Sequence, residues 1–146
     1  NPRFNGYYIE GSWLITGESH RYNPATASYQ APRPFIPFDG QGGWGAWELA
    51  LRYSHTDLDY HRGVAGAAPP ADGIRGGVQS IATAGVNWYP HANLRFILEM
   101  LHINVDRLNP AGASTTPFGP APATPPVGSQ IGQDFNAFAL RTQFIF

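Results

Sequence analysis

Five segments of this chain alternate apolar and polar residues with a period of two, and each runs for about ten to twelve residues. Strands of soluble proteins are usually about five or six residues long. A strand that crosses a bilayer at a tilt needs about 9–11. The first segment covers 6–16, with Tyr7, Ile9, Gly11, Trp13 and Ile15 opposite Tyr8, Glu10, Ser12, Leu14 and Thr16. The second, 46–57, sets Trp47, Leu49, Leu51 and Tyr53 against Glu48, Ala50, Arg52, Ser54 and Thr56. The third, 78–89, alternates Val78, Ala82, Ala84, Val86 and Trp88 with Gln79, Thr83, Gly85 and Asn87. The fourth covers 94–106. The fifth, 136–146, places Phe138, Leu140, Phe144 and Phe146 opposite Ala139, Arg141 and Gln143.

The aromatic residues fit a membrane strand. If neighbouring strands run antiparallel, Trp13, Trp47 and Trp88 fall at ends that share one membrane surface, and Tyr7 and Tyr53 fall at the other. Two girdles of amphipathic rings are the pattern of an outer-membrane barrel. A soluble β-sandwich with aromatics in its core also alternates. Its solvated face would carry Lys, however, and all nine basic residues here are Arg. Only 13% of residues are charged, against roughly 25% in ordinary domains. The 17 Gly and 14 Pro argue against a helical bundle, and a net charge of −1 offers nothing to nucleic acid. The absence of Cys excludes disulfides and thiolate metal sites. No apolar run approaches the ~20 residues of a membrane-spanning helix.

Four connections join the segments. Residues 90–93 form a short turn. Residues 17–45, 58–77 and 107–134 are long, and the last is proline-rich and reads as an exposed loop without strand or helix.

The fifth segment closes on Phe146 and resembles the C-terminal signal through which outer-membrane proteins engage the barrel-assembly machinery. The stretches Gly6-Tyr7-Tyr8-Ile9-Glu10-Gly11-Ser12-Trp13-Leu14-Ile15-Thr16-Gly17-Glu18, Gly45-Ala46-Trp47-Glu48-Leu49-Ala50-Leu51-Arg52-Tyr53-Ser54, Gly85-Val86-Asn87-Trp88-Tyr89-Pro90 and Asn136-Ala137-Phe138-Ala139-Leu140-Arg141-Thr142-Gln143-Phe144 resemble the C-terminal part of the phosphate-selective porin O/P family. The resemblance covers most of the chain and keeps the family's order. It implies a bacterial outer-membrane β-barrel, usually of sixteen strands and trimeric, that passes small anions. The chain departs from the family in lacking Lys and in a loop richer in Ala and Pro.

Five antiparallel strands cannot close such a barrel, and open edges in lipid would leave backbone groups unpaired. The expected fold is therefore an all-β transmembrane antiparallel barrel, of which residues 1–146 supply about five C-terminal strands of sixteen. With Phe146 at the periplasmic surface, 90–93 is a periplasmic turn and 58–77 and 107–134 are extracellular loops. Residues 17–45 are then an unusually long periplasmic connection. It either folds inward, since Ala31-Pro32-Arg33-Pro34-Phe35 resembles the family's Pro-and-basic inward segment, or it is a disordered turn.

This frame assigns Glu10, Ser12, Glu48, Arg52, Ser54, Thr83, Asn87, Arg95, Glu99, Arg141 and Gln143 to the lumen. Trp13, Trp47, Leu49, Leu51, Tyr53, Val86, Trp88, Phe138, Leu140, Phe144 and Phe146 are assigned to lipid or a partner subunit. Arg52, Arg95 and Arg141 against Glu10, Glu48 and Glu99 give no net anion preference, and these charges either act on solutes or pair across strands. His55, Asp57, Asp59 and His61 repeat every second residue, a weak metal pattern beside the plainer reading of a polar strand end. Asp72-Gly73 and Gly76-Gly77 read as turns.

The fourth segment inverts its phase. Leu94, Phe96, Leu98 and Met100 are even-numbered, whereas Leu101, Ile103 and Val105 are odd. Either a β-bulge near 100–101 turns His102 and Asn104 toward the lumen, or the membrane ends there and the strand continues regularly. The bulge is the expectation carried forward.

No nucleophile, phosphate-cradling loop or cofactor motif stands out, so no enzyme and no cofactor is expected. The expected function is a passive outer-membrane porin for small polar or anionic solutes, phosphate among them, working as a homotrimer. The readings of other kinds are a secreted soluble all-β glycan-binding module and a non-conducting structural outer-membrane protein.

Overall fold

The computed structural model describes residues 1–110, 115–116, 119–120 and 125–144. They contain nine strands and no helix: β1 (Asn5–Leu14), β2 (Arg21–Asn23), β3 (Ser28–Gln30), β4 (Ala46–Tyr60), β5 (Ile74–His91), β6 (Leu94–Asp106), β7 (Thr115–Thr116), β8 (Gly119–Pro120) and β9 (Gln133–Phe144). The five long strands form one antiparallel sheet in the order β1-β4-β5-β6-β9. The five alternating segments are these five strands. Phe146 lies outside the described residues.

Several boundaries differ from the sequence reading. β4 runs three residues further, to Tyr60, and β5 starts four earlier, at Ile74. Gly76 and Gly77 are therefore inside a strand and not at a turn. A Cβ on Gly76 would stand 2.5 Å from both the Cβ and the carbonyl oxygen of Leu58, so glycine here permits close strand approach. β5 continues through Pro90 and His91, which leaves Ala92 and Asn93 as a two-residue connection. β1 ends at Leu14, where the Gly17 amide bonds the Leu14 carbonyl at 3.2 Å. β9 starts at Gln133. The proline-rich connection carries a two-residue ladder, with Thr115 opposite Pro120 and Thr116 opposite Gly119.

The expected bulge is absent. β6 is one uninterrupted strand, and its exposure keeps a single phase from Leu98 to Asn104, with even residues exposed and odd ones half-buried. His102 and Asn104 therefore follow Met100 on one face, and Ile103 and Val105 follow Glu99 on the other. The residue types swap while the pleat does not.

The chain packs as two compact units that the long strands run through. The first comprises Asn1–Ile9, Tyr53–Ile81 and His102–Asn136. It is organised around Arg75, which is buried at 3% exposure. Its guanidinium donates to four backbone carbonyls: Arg62 at 2.8 Å, Asn109 at 3.1 Å, Val64 at 3.3 Å and Ala67 at 2.8 Å. Arg62 in turn grips both Asp106 carboxylate oxygens, at 2.9 and 3.3 Å. Asn109 donates to the Pro125 and Pro126 carbonyls. Gly128, at φ +79°, comes so close that a Cβ would lie 2.6 Å from the Ala67 oxygen.

The second unit comprises Glu10–Arg52, Ala82–Leu101 and Ala137–Phe146. Its buried apolar centre is small: Leu14, Ala46 and Tyr89, with Ala31 packed against them. Residues 17–45 are ordered. β2 and β3 pair as Arg21↔Gln30, Tyr22↔Tyr29 and Asn23↔Ser28, around a turn in which the Asn23 side chain accepts from the Ala25 amide at 3.0 Å. Further on, the Phe38 amide bonds the Pro90 carbonyl at 2.9 Å. The Gly43 and Gln41 amides donate to the Asp39 carboxylate and hold its pKa below the ordinary 3.8. A depressed carboxylate pKa means that this turn keeps its cap above pH 3.8 and loses it as pH falls further.

Replacing Arg75 strips four backbone carbonyls of a donor, and that of Asn109 is buried. Arg75→Met is expected to loosen residues 61–73 and 107–110, because each unpaired buried acceptor costs about 1–3 kcal/mol. Limited proteolysis checks this: the variant should be nicked within 61–73 at protease levels that leave the parent intact.

Candidate functional site

The pleat sends alternate side chains to opposite faces, and in the second unit the two faces are chemically distinct. On one, Glu10, Ser12, Glu48, Arg52, Thr83, Asn87, Arg95 and Glu99 line a depression of about 450 Å3. On the other, Leu49, Leu51, Val86, Leu98, Met100 and Phe138 line an apolar depression of about 280 Å3. Eight of the eleven residues assigned to a lumen are thus brought together, and four of those assigned to lipid.

The apolar face continues as a run of stacked rings. Trp88 stacks on Trp47 at 5.6 Å and on Phe96 at 5.5 Å, and Phe38 meets it edge-on at 5.4 Å. The Trp47 and Trp88 indoles both donate to the Trp44 carbonyl, at 3.1 and 2.8 Å. Trp13, Leu140 and Phe144 stand exposed. A Leu140 at 76% exposure and a Phe138 at 73% would be costly in water as parts of one stripe. In the first unit, Tyr7 and Tyr53 lie with ring centroids 6.3 Å apart, and Ser54 is half-buried.

The polar face is organised by the buried carboxylate of Glu48. It accepts from Asn87 at 2.9 Å and from the Tyr89 hydroxyl at 2.8 Å, contacts the His20 ring at 2.8 Å, and has Ser12 beside it. The other His20 nitrogen faces the Gln30 carbonyl at 3.2 Å. This histidine therefore holds residues 18–30 against the polar face of the sheet, and the long connection is ordered rather than a disordered turn. Ser12, His20, Tyr29, Gln30, Ala31, Arg33, Glu48, Tyr89, Ala92, Arg95 and Gln143 line an open cleft of about 800 Å3.

The charged groups divide. Arg52 pairs with Glu10 at 3.7 Å, both exposed, a contact worth little to stability. Arg95 lies 5.2 Å from the Tyr89 ring centroid, and its Nε is buried without an acceptor among the described residues. Arg141 is exposed on β9.

The His55–His61 series disperses. His55 bonds Ser80 at 3.0 Å, and Asp57 accepts from the Asp59 amide at 2.9 Å. Asp59 accepts from the Gly77 amide at 2.8 Å, and His61 meets Asp72 at 2.7 Å. Among the described residues no three His, Asp or Glu side chains converge as a metal group.

Sequence reasoning missed His20, Tyr29, Arg33 and Tyr89 as members of the polar site. Tyr89 shares the parity of Asn87, so period-two counting carried one residue further reaches it. Two short Tyr-containing runs flank Asn23-Pro24, a turn signal that points to the β2–β3 hairpin. The contact of His20 with Glu48 leaves no local mark.

Comparison with known proteins gives one family and one relative. Residues 1–146 match the family described as phosphate-selective porin O and P. An uncharacterized protein of Caulobacter vibrioides is 34% identical over 113 residues. The match covers 77% of this chain and 19% of that relative, so the chain spans about a fifth of the relative's length. No solved structure matches.

Truncating Glu48 leaves Asn87 and Tyr89 as buried donors without an acceptor and frees His20. Glu48→Ala is expected to cost about 3 kcal/mol. His20→Ala is expected to leave the sheet intact and expose residues 18–33 to protease. A His20→Ala protein as resistant there as the parent would show that the tether lies elsewhere.

Proposed function

The chain belongs to the phosphate-selective porin O and P family, and from that membership we propose that it forms part of the wall of a bacterial outer-membrane porin, a passive channel for small polar or anionic solutes. The family points to a channel rather than an enzyme. The observation that carries the proposal is the division of one sheet of long strands into a polar and an apolar face. A soluble sandwich would cover its apolar face with a second layer, and none covers Leu49, Leu51, Leu98, Met100 and Phe138 among the described residues.

In this reading Glu10, Ser12, Glu48, Arg52, Ser54, Thr83, Asn87, Arg95, Glu99, Arg141 and Gln143 face the lumen. Trp13, Trp47, Leu49, Leu51, Tyr53, Val86, Trp88, Phe138, Leu140 and Phe144 face lipid or a neighbouring subunit of a homotrimer. The five strands are one portion of a larger barrel inserted by the barrel-assembly machinery, which agrees with the small share of the Caulobacter relative that the chain spans. Polar wall groups replace part of a solute's hydration, and Arg side chains lower the barrier for anions. Three Arg against three Glu on this stretch set a transverse field without net sign, so phosphate preference, if the whole channel has it, draws on other strands as well.

Planar-bilayer recording of the full-length protein tests the proposal: discrete ohmic steps are expected. A protein that stays monodisperse in detergent-free buffer and adds no conductance would be a soluble module or a non-conducting structural protein instead. Facing is tested separately. Leu51→Arg is expected to cost the barrel about 2–4 kcal/mol near the midplane, whereas Ala50→Arg should fold and alter conductance. Equal tolerance at the two positions would contradict the assignment.

A further inference from the structure

The cleft between residues 18–33 and the polar face holds two arginines, the exposed Arg33 and the half-buried Arg95, that have no carboxylate partner among the described residues. Arg33 comes from the segment that follows β3, and Arg95 from β6. Among the described residues neither lies within ion-pair distance of an acid. Arg95 lies against the Tyr89 ring, and its buried Nε has no acceptor among the described residues. A buried guanidinium nitrogen without an acceptor is costly, and native proteins supply such groups with a partner. The carboxylate in the cleft wall is no such partner, because Glu48 is already engaged by His20, Asn87 and Tyr89.

The cleft also has features that a small inorganic ion does not need. Its volume of about 800 Å3 is that of a site for an organic molecule. The Tyr29 ring stands 74% exposed at its edge, braced edge-on by Tyr22 at 5.3 Å. Gln30 and Gln143 add amide donors and acceptors. Two guanidinium groups against one carboxylate leave the cleft with a single net positive charge, His20 being counted neutral. That balance suits a monoanion, and Glu48 opposes a second negative charge on the ligand.

We propose that this cleft is a binding site for a planar organic monocarboxylate, its carboxylate held by Arg33 and Arg95 and its body lying against Tyr29. Arginine's flat fork matches a carboxylate through two parallel hydrogen bonds, and the tyrosine face receives a flat apolar body. The inference rests on the pore reading for its role, since it makes the cleft a stopping point on a solute's path. The site itself is a separate claim.

Benzoate serves as the probe and inorganic phosphate as its rival. Calorimetry on the detergent-solubilised full-length protein should register benzoate binding, with phosphate at least tenfold weaker. Arg95→Gln and Arg33→Gln should each weaken benzoate about tenfold, the loss expected for one charge-assisted hydrogen bond, while the far-ultraviolet sheet spectrum is unchanged. Arg33 lies outside the strands, so its variant keeps the test decisive if Arg95→Gln misfolds. Benzoate should also interrupt single-channel current. Phosphate binding as tight as benzoate, or parental benzoate affinity in a folded Arg33→Gln protein, would overturn the proposal. Benzoate binding without conductance would uphold the site and reject the pore; conductance without benzoate binding would do the reverse.

Discussion

The whole arrangement depends on the pleat. A β-strand has no freedom to choose which side chains share a face: residues two apart do, and residues one apart do not. Once β4, β5 and β6 pair, Leu49, Leu51, Val86, Leu98 and Met100 gather on one side and Glu48, Arg52, Asn87, Arg95 and Glu99 on the other, without any further instruction. Pairing also satisfies the backbone, which no solvent would do inside a bilayer. A single layer with one polar and one apolar face explains why so few of the described side chains are buried: no second sheet among the described residues covers the apolar face.

The polar face follows a different rule. A carboxylate as enclosed as that of Glu48 needs several donors, and local alternation supplies Asn87 and Tyr89 from the neighbouring strand. The His20 contact comes from 28 residues away and brings a hairpin with it. One buried acceptor thereby converts a long connection into an ordered layer over the sheet and creates the cleft between them. In the first unit Arg75 plays the inverse part: a buried donor is satisfied by four carbonyls, and the connections that carry those carbonyls are gathered around it.

The missing bulge in β6 shows how a residue pattern can change without the backbone changing. Below Met100 the exposed face carries Leu98 and Met100. Above it the same face carries His102, which bonds Asn136 at 3.0 Å, and Asn104, which bonds Asp134 at 3.3 Å. A switch from apolar to polar residues along one face requires no inserted residue. Sequence alone does not separate that case from a bulge, since both invert the hydrophobic phase.

Period-two alternation, strand length and the placement of Trp and Tyr made the five long strands, their two faces and the family legible from the sequence, because each is a local property of consecutive residues. The β6 limits were read without error for the same reason. The outer limits of β4 and β5 were not, since they depend on Gly76 approaching Leu58 across the sheet, and a glycine pair looks locally like a turn. The order of residues 17–45, the membership of His20, Tyr29 and Arg33 in the polar site, and the scattering of His55, Asp57, Asp59 and His61 to separate partners were decided only by tertiary structure. Each depends on which distant donor or acceptor reaches a buried polar group, and that is set by the path of the chain in space rather than by the spacing of residues along it.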